Sequence, residues 1–403
     1  MNASITLGFL HLGRREHGVC LFGRRLAEEA KKRAGVIVIE KEIVLNGDPV
    51  EDNALLREAT HFLSKADIVQ IQFTEEIWGV DKHRLQNLKA FLDSCSSRVV
   101  ATIHDTESIN SFFVIEHSLL VSALLSRVRQ LVRLVWLQCK FFLNKGGFPY
   151  GLISSNAWIR RWLINRIDYG FVSTYEEKRR ILVFLKNDKC AVIPHYVENR
   201  FSLPDRKESR KELGLEGHKV VTLLGFIFEG KGHSLLLRAL AKMPDKEIMV
   251  VFAGGPALGS EFFSRKLMKL AQSLGVVDRL RITGYLEEHV LEKYLVSTDL
   301  AVCPYSVCFA SGSLSTWISV ACPILVSDLP QFREYNTLSP RSLMFFSPYS
   351  KMALVHSMKE ILSAPFNEER NFSMKKLKEQ LSIQETFNRY LNYYKTITSS
   401  RWE

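Results

Sequence analysis

The sequence predicts an α/β protein built from two doubly wound, Rossmann-like domains. Three features predict it. Short β-branched runs alternate with helix-period segments, the pattern of parallel strands joined by crossover helices. The alternation lapses once and then restarts. The 403 residues, 46% hydrophobic and 24% charged, also suffice for two cores of ordinary size.

In the first half the runs SITLGFL, GVIVIE, DIVQIQF, RVVATIHD, DYGFVS and KCAVIPH read as strands, with helical text between them. In the second half KVVTLLGFI, EIMVVFAGG, RLRITGYL, TDLAVCPY, CPILVSD and LMFF repeat the rhythm. Between the halves lies VENRFSLPDRKESRKELGLEGH. There apolar periodicity lapses, a proline and dense charge appear, and Gly214 and Gly217 end a short helix. That places an N-terminal domain at 1–203 and a second domain at 204–378. Ile383, Phe387, Tyr390, Leu391 and Tyr394 then recur at helical spacing, so 379–403 is an amphipathic helix with a face to bury.

Lys and Arg number 54 against 43 Asp and Glu, a formal charge of +11, which favours an anionic partner. Nucleotide phosphates, acidic lipid and nucleic acid all qualify. Seven scattered cysteines imply no disulfide framework, and the one close pair, Cys303 and Cys308, has no second pair to complete a metal set. The first residues put charge after a short apolar run instead of before it, opposite to a secretory signal, so the expected location is cytoplasmic.

One stretch breaks the rhythm. SLLVSALLSRVRQLVRLVWLQCKFFLNK, residues 118–145, lacks turn signals, yet its charges interrupt it too often for a membrane span. On a helical wheel Ser122, Ser126, Arg129, Arg133 and Lys140 form a narrow stripe, and apolar residues fill nearly all the rest. From 117 to 170 stand eight basic residues (Arg127, Arg129, Arg133, Lys140, Lys145, Arg160, Arg161, Arg166) and one acid, Asp168. Two readings of this basic amphipathic insert, about 110–166, stay open. One is a helix buried in the first domain with its stripe solvated. The other is an interfacial helix that meets an anionic membrane surface through 118–166, with Trp136, Trp158 and Trp162 as anchors. Nucleic acid is disfavoured, because the aromatics lie away from the basic stripe.

Chemistry concentrates at strand ends. LLGFIFEGKGHSLLLRAL runs from a strand through a glycine-rich turn into an amphipathic helix. Gly225, Gly230 and Gly232 let backbone amides approach an anion, the helix N-terminus adds partial positive charge, and Lys231 adds a full one. That combination suits a diphosphate, although a ligand-free turn with a solvated Lys reads the same way and neither the Walker nor the GxGxxG spacing is present. Downstream, CFASGSLSTWISVACPILVSD sets Ser311, Gly312 and Ser313 before a helix, as plain caps or as donors to a phosphate or sugar hydroxyl. In the first half His104 and Asp105 end a strand, and Gly18 opens the helix after the first strand. A His there either donates to a ligand hydroxyl or phosphate oxygen, or caps the next loop. His195, beside the junction, reads as structural. No metal site is expected.

Together these segments resemble the GT-B fold glycosyltransferases, in particular the large retaining family 4. The resemblance is densest in 219–340, where VTLLGFIFEGKGHSLLLRAL, VVFAGGP, RITGYLEEHVLEKYLVSTDLAVCPYS and SGSLSTWISVACPILVSDLPQFREY follow in the family's order. The first domain is similar in outline, through Gly18 before its first helix, ADIVQIQF, TIHD and VIPHYVENRF. The final helix resembles the one that crosses back to the first domain in that fold. What the resemblance implies is two domains facing a cleft, and a UDP- or GDP-sugar donor as co-substrate with no cofactor and no metal. The diphosphate would lie against Lys231 and the amides near Gly225, the base near Gly284 and Tyr285, and the sugar within reach of His104 and Gly18. Lys231 is then the principal electrostatic catalyst, His104 completes the catalytic set, and transfer retains configuration without a protein nucleophile. The implied acceptor is lipid-linked or a cell-surface polysaccharide.

Two departures bear on that expectation. The family usually has an Arg shortly after the glycine matched by Gly225, where this chain has Phe226, Ile227 and Phe228. It usually has two Glu residues across the SGS helix, where this chain has Ala310 and Ile318. Ser311 and Ser313 are read as substitutes for the lost Glu contacts. The alternative is a catalytically degenerate GT-B relative that binds a glycan or a partner.

Overall fold

Strands as apolar as these must be covered on both faces, and the topology provides the cover. A computed structural model of the chain describes residues 4–14, 18–74, 77–79, 81–104, 155–182, 189–200, 202–257, 260–306, 308, 311–363 and 368–399. It contains two six-stranded sheets. The first comprises β1 (Ile5–Leu12), β2 (Val36–Ile43), β3 (Ile68–Phe73), β4 (Arg98–Ile103), β5 (Tyr169–Val172) and β6 (Cys190–Val192), in the order β2-β1-β3-β4-β5-β6. The second comprises β7 (Lys219–Leu224), β8 (Ile248–Ala253), β9 (Leu280–Ile282), β10 (Leu300–Cys303), β11 (Ile324–Ser327) and β12 (Met344–Phe346), in the order β12-β11-β10-β7-β8-β9. Every pairing is parallel, for example Lys219 opposite Ile248 and Ile68 opposite Arg98. Each run read as a strand from the sequence contains or overlaps one, β1 and β2 extending two and three residues further. All residues of β3 and β8 are buried.

The chain divides into two compact units, Met1–Val192 with Tyr394–Glu403, and Ile193–Tyr393. Segment 193–200 packs on the second unit: Val197 bridges Ser382 in parallel, and its amide donates to Leu381 O at 2.7 Å. The charge-dense run after it forms the helix Arg206–Glu212, capped by Asp205, whose Oδ1 accepts from Glu208 N at 2.8 Å. Both of its arginines are engaged. Arg206 and Arg210 meet the Asp299 carboxylate at 2.5 and 3.1 Å, and the same carboxylate accepts from Val220 N at 2.7 Å, which ties this helix to the starts of β7 and β10.

The last helix, Ile383–Ser399, buries Phe387, Tyr390, Tyr394 and Ile397 on one face. From Tyr394 onward it belongs to the first unit, where Tyr394 Oη donates to Gln70 Oε1 of β3 at 2.9 Å. Gln70 Nε2 donates in turn to Thr102 Oγ1 at 3.1 Å, so a polar side chain in a fully covered strand is satisfied.

The basic insert is described only at its end. Residues 105–154 lie outside the described residues, and with them the stripe of Ser122, Ser126, Arg129, Arg133 and Lys140, the anchor Trp136, and Asp105; the side chain of Trp158 does too. The helix Ser155–Arg166 turns Ile159, Leu163 and Ile164 into the first unit's core, with Trp162 partly buried against it. Arg160 is buried, and Arg166 pairs with Asp93 while lying 5.9 Å from the Trp162 ring. Trp162 thus packs in part against the first unit's core. Helical spacing shows which residues share a face, but not what that face meets. Among the described residues, no helix is long and apolar enough to cross a membrane.

Candidate functional site

In the second sheet the chain leaves β7 for β8 and β9 on one side, then returns to β10 on the other. The strand order therefore reverses between β7 and β10, and the carboxyl ends of strands at such a reversal are where open α/β sheets hold ligands. The two motifs singled out in the sequence follow these two strands. One is the turn 225–232, and the other is the Ser311 cap of the helix Gly312–Ser319.

The turn brings its charge back over its own beginning. Gly225 has φ +101° and its amide donates to Ala253 O at 2.9 Å. A Cβ there would stand 2.3 Å from Lys231 Nζ and 2.7 Å from Ser313 Oγ, so the bare Gly225 backbone faces both groups. Gly232, at φ +87°, lets the chain pass the Pro304 carbonyl, which a Cβ would meet at 2.0 Å, and opens the helix His233–Leu240. Lys231, Gly225 and Ser313 therefore converge across a long sequence separation.

Lys231 is 7% exposed, and its Nζ donates to Ser313 Oγ at 3.4 Å. The rings of Phe228 and Tyr305 each lie 5.7 Å from Nζ. Among the described residues no carboxylate pairs with it. Burial pushes its pKa from the ordinary 10.5 down to about 8, opposed by the thiols of Cys303 and Cys308. Desolvation penalises the charged form, and a pyrophosphate-like anion is what such an ammonium lacks. The neighbouring His233 supplies no second cation, because burial and the Lys231 charge push its pKa to about 3.

Ser311 is the N-cap, its Oγ accepting from Leu314 N at 3.1 Å, which commits that hydroxyl to the helix. Gly312 is exposed in the first turn, and Ser313 is the serine that meets Lys231. Gly284 and Tyr285 follow β9, where Thr283 Oγ1 donates to Gly284 O at 2.7 Å and accepts from Gly254 N at 3.1 Å. A Cβ on Gly255 would lie 3.3 Å from Tyr285 N, so the ends of β8 and β9 adjoin, with the Tyr285 ring 77% exposed. Of the positions matched to the missing Glu pair, Ala310 lies outside the described residues, and Ile318 is fully buried in the core between sheet and helices.

In the first unit Gly18 is exposed at the start of the helix Gly18–Lys31, which follows β1, and His104 follows β4. Phe22 of that helix stacks edge-on to the His104 ring at 4.8 Å, and His104 Nε2 donates to Gln72 Oε1 at 2.8 Å. Gly18 and His104 thus frame one end of the first sheet. His195, read as structural, has Nδ1 2.8 Å from Tyr196 O and 3.2 Å from Ser315 Oγ on the helix that Ser311 caps. Tyr305 and Phe228 escaped the sequence reading. An aromatic directly after a strand and its proline, as in CPY, was the available signal for Tyr305.

Residues 205–379 match the family model of glycosyl transferases group 1. The D-inositol 3-phosphate glycosyltransferase of Nocardia farcinica is 28% identical over 176 residues, 41% of this chain and 39% of that protein. The chain spans only 32% to 39% of the length of the first such curated relatives it matches. Among solved structures, Anabaena Alr3699/HepE in complex with UDP and glucose superposes with a TM-score of 0.70 at 12% identity, covering 97% of this chain and 100% of that one. Sucrose-phosphate synthase from Thermosynechococcus elongatus gives 0.69 at 14% identity, covering 98% and 99%. Residues 205–379 are accordingly similar to the glycosyl transferases group 1 domain, and the fold of the chain is the GT-B fold of these neighbours.

Proposed function

We propose that the chain is a glycosyltransferase that takes a sugar from a UDP- or GDP-linked donor, with the donor diphosphate on Lys231. The observation that carries this reading is the buried Lys231 ammonium, without a carboxylate partner among the described residues and converging with Ser313 Oγ on the bare backbone of Gly225. Its role is electrostatic. As the sugar–phosphate bond breaks, charge builds on the departing diphosphate, and a preorganised cation, hydroxyl and amides stabilise that charge more than they stabilise the ground state. Exposed Tyr285 and the Gly284 backbone flank the place assigned to the base. Transfer with retention, and a hydroxyl-binding role for His104, belong to the same proposal. UDP in the HepE structure favours a uridine donor.

Thermal-shift titration with UDP and GDP tests the donor site, because a ligand that binds only the native state raises the melting point. Affinity should fall with pH. Free Lys231 loses its proton around pH 8. UDP binding at pH 9.5 is therefore expected to be roughly ten- to thirtyfold weaker than at pH 7, with the loss beginning near pH 8. A flat calorimetric profile over that range would remove Lys231 from the site. Release of free UDP or GDP from a panel of nucleotide sugars, in water and with added acceptors, reads the reaction itself.

A lipid-linked or surface-polysaccharide acceptor, met on an anionic bilayer, is the finer part of the proposal. It is supported by the basic, apolar composition of 118–145. Sedimentation with acidic liposomes at low and moderate salt checks it, and absence of lipid-dependent pelleting removes the membrane contact while leaving the transferase. The rival, a catalytically degenerate relative that binds a glycan or partner, draws on Ile318, whose burial withholds any polar contact at that position. Nucleotide binding without turnover of any donor would favour it.

A further inference from the structure

The Lys231 ammonium faces two aromatic rings, and neither was expected. Tyr305 forms the fixed wall. It is buried, its carbonyl accepts from Ser327 Oγ at 2.6 Å, and its ring packs 5.9 Å from Phe332. Phe228 is the outer wall, on the turn that carries Lys231 and 41% exposed. Resting on the donor-site reading above, we infer that Phe228 and Tyr305 are positioning residues that hold the Lys231 ammonium over Gly225 through their ring faces, in place of a carboxylate counter-ion.

The physical reason lies in what each kind of partner does to the charge. A carboxylate would fix the ammonium but neutralise it, and an incoming diphosphate would first have to break that pair. A ring face attracts the cation through its quadrupole and leaves the full charge for the ligand. The matter is more acute here because the turn 225–232 carries no second side-chain cation to draw the anion in. The other titratable groups around the ammonium are Cys303 on β10, Cys308 beyond it, the Tyr305 phenol and His233 at the next helix. Burial holds Cys303 up to about 11, Tyr305 above its ordinary range and His233 down to about 3, so none of these three titrates together with Lys231.

The test measures the ammonium without any substrate. Competitive acetylation of Lys231 across pH 6 to 11, read by mass spectrometry, gives the midpoint of its titration in the free protein. Phe228→Leu alters an exposed turn residue, and pentafluorophenylalanine at 228 keeps the ring's shape while reversing its quadrupole. Tyr305→Phe and Phe228→Tyr keep the faces. Loss of the Phe228 face should lower the midpoint by about half a pH unit and weaken UDP about two- to fivefold, whereas both ring-preserving variants should behave as the parent protein. An unmoved midpoint with the fluorinated ring overturns the inference, whatever happens to nucleotide. A lowered midpoint in a protein that binds no nucleotide keeps the aromatic clamp and defeats the donor reading instead.

Discussion

Replacing Lys231 with Met should make the free protein more stable and the donor site inert. The native lysine pKa of about 8 lies below its ordinary 10.5, so between those values the folded state holds fewer protons than the unfolded chain. Stability therefore rises with pH across that window, and the full cost of the buried charge is present below it. At pH 7 the cost amounts to roughly 1–3 kcal/mol, which Lys231→Met should recover as a melting point several degrees higher. Wild-type protein at a hundredfold excess of UDP over its dissociation constant should gain about 2.7 kcal/mol, and the variant should gain essentially nothing. Turnover should fall by about 10²–10³, the scale of removing one preorganised charge-stabilising group. Paired melting curves with and without UDP at pH 7 read both halves. A variant less stable than wild type, or one still stabilised by UDP, would contradict the assignment of Lys231.

Gly232→Ala should be the most damaging single-methyl change in the second unit. The new Cβ would sit 2.0 Å from the Pro304 carbonyl oxygen and 2.8 Å from its carbon, at a φ of +87°. Backbone has no rotamer with which to retreat, so either the turn or the end of β10 must move. A loss of about 3–5 kcal/mol is expected, measured as a shift in urea midpoint with little change in slope. Gly225→Ala differs in kind. Its Cβ would collide with Lys231 Nζ and Ser313 Oγ, the ends of side chains that can swing away. The expected cost is a smaller ~1–3 kcal/mol, combined with loss of UDP binding, because the two groups are pushed off the shared backbone. Equal stability losses in the two variants would show that the turn yields as one body and would refute this division.

Much of the molecule was legible from local pattern. The twelve strands, the short helix Arg206–Glu212 and the closing helix Ile383–Ser399 follow from periodic burial and from cap and breaker residues, which act over a few positions. The glycine turn with Lys231 and the Ser311 cap were legible for the same reason. Trp162 was not. Its place on a helix was clear from spacing, but its packing against the first unit's core depends on neighbours from other strands and helices.

The chain's order of residues was enough to establish two parallel α/β cores and the glycine-bound lysine, since both arise from short-range periodicity and backbone permissiveness. It did not reveal that Ser313, 82 positions from Lys231, would accept from it, or that Tyr305 and Phe228 would flank it in place of an acid. Those relations depend on β10 pairing beside β7 and on how much water the packed sheet excludes from one ammonium. Desolvation belongs to a whole packed neighbourhood, and no local run of residues encodes it.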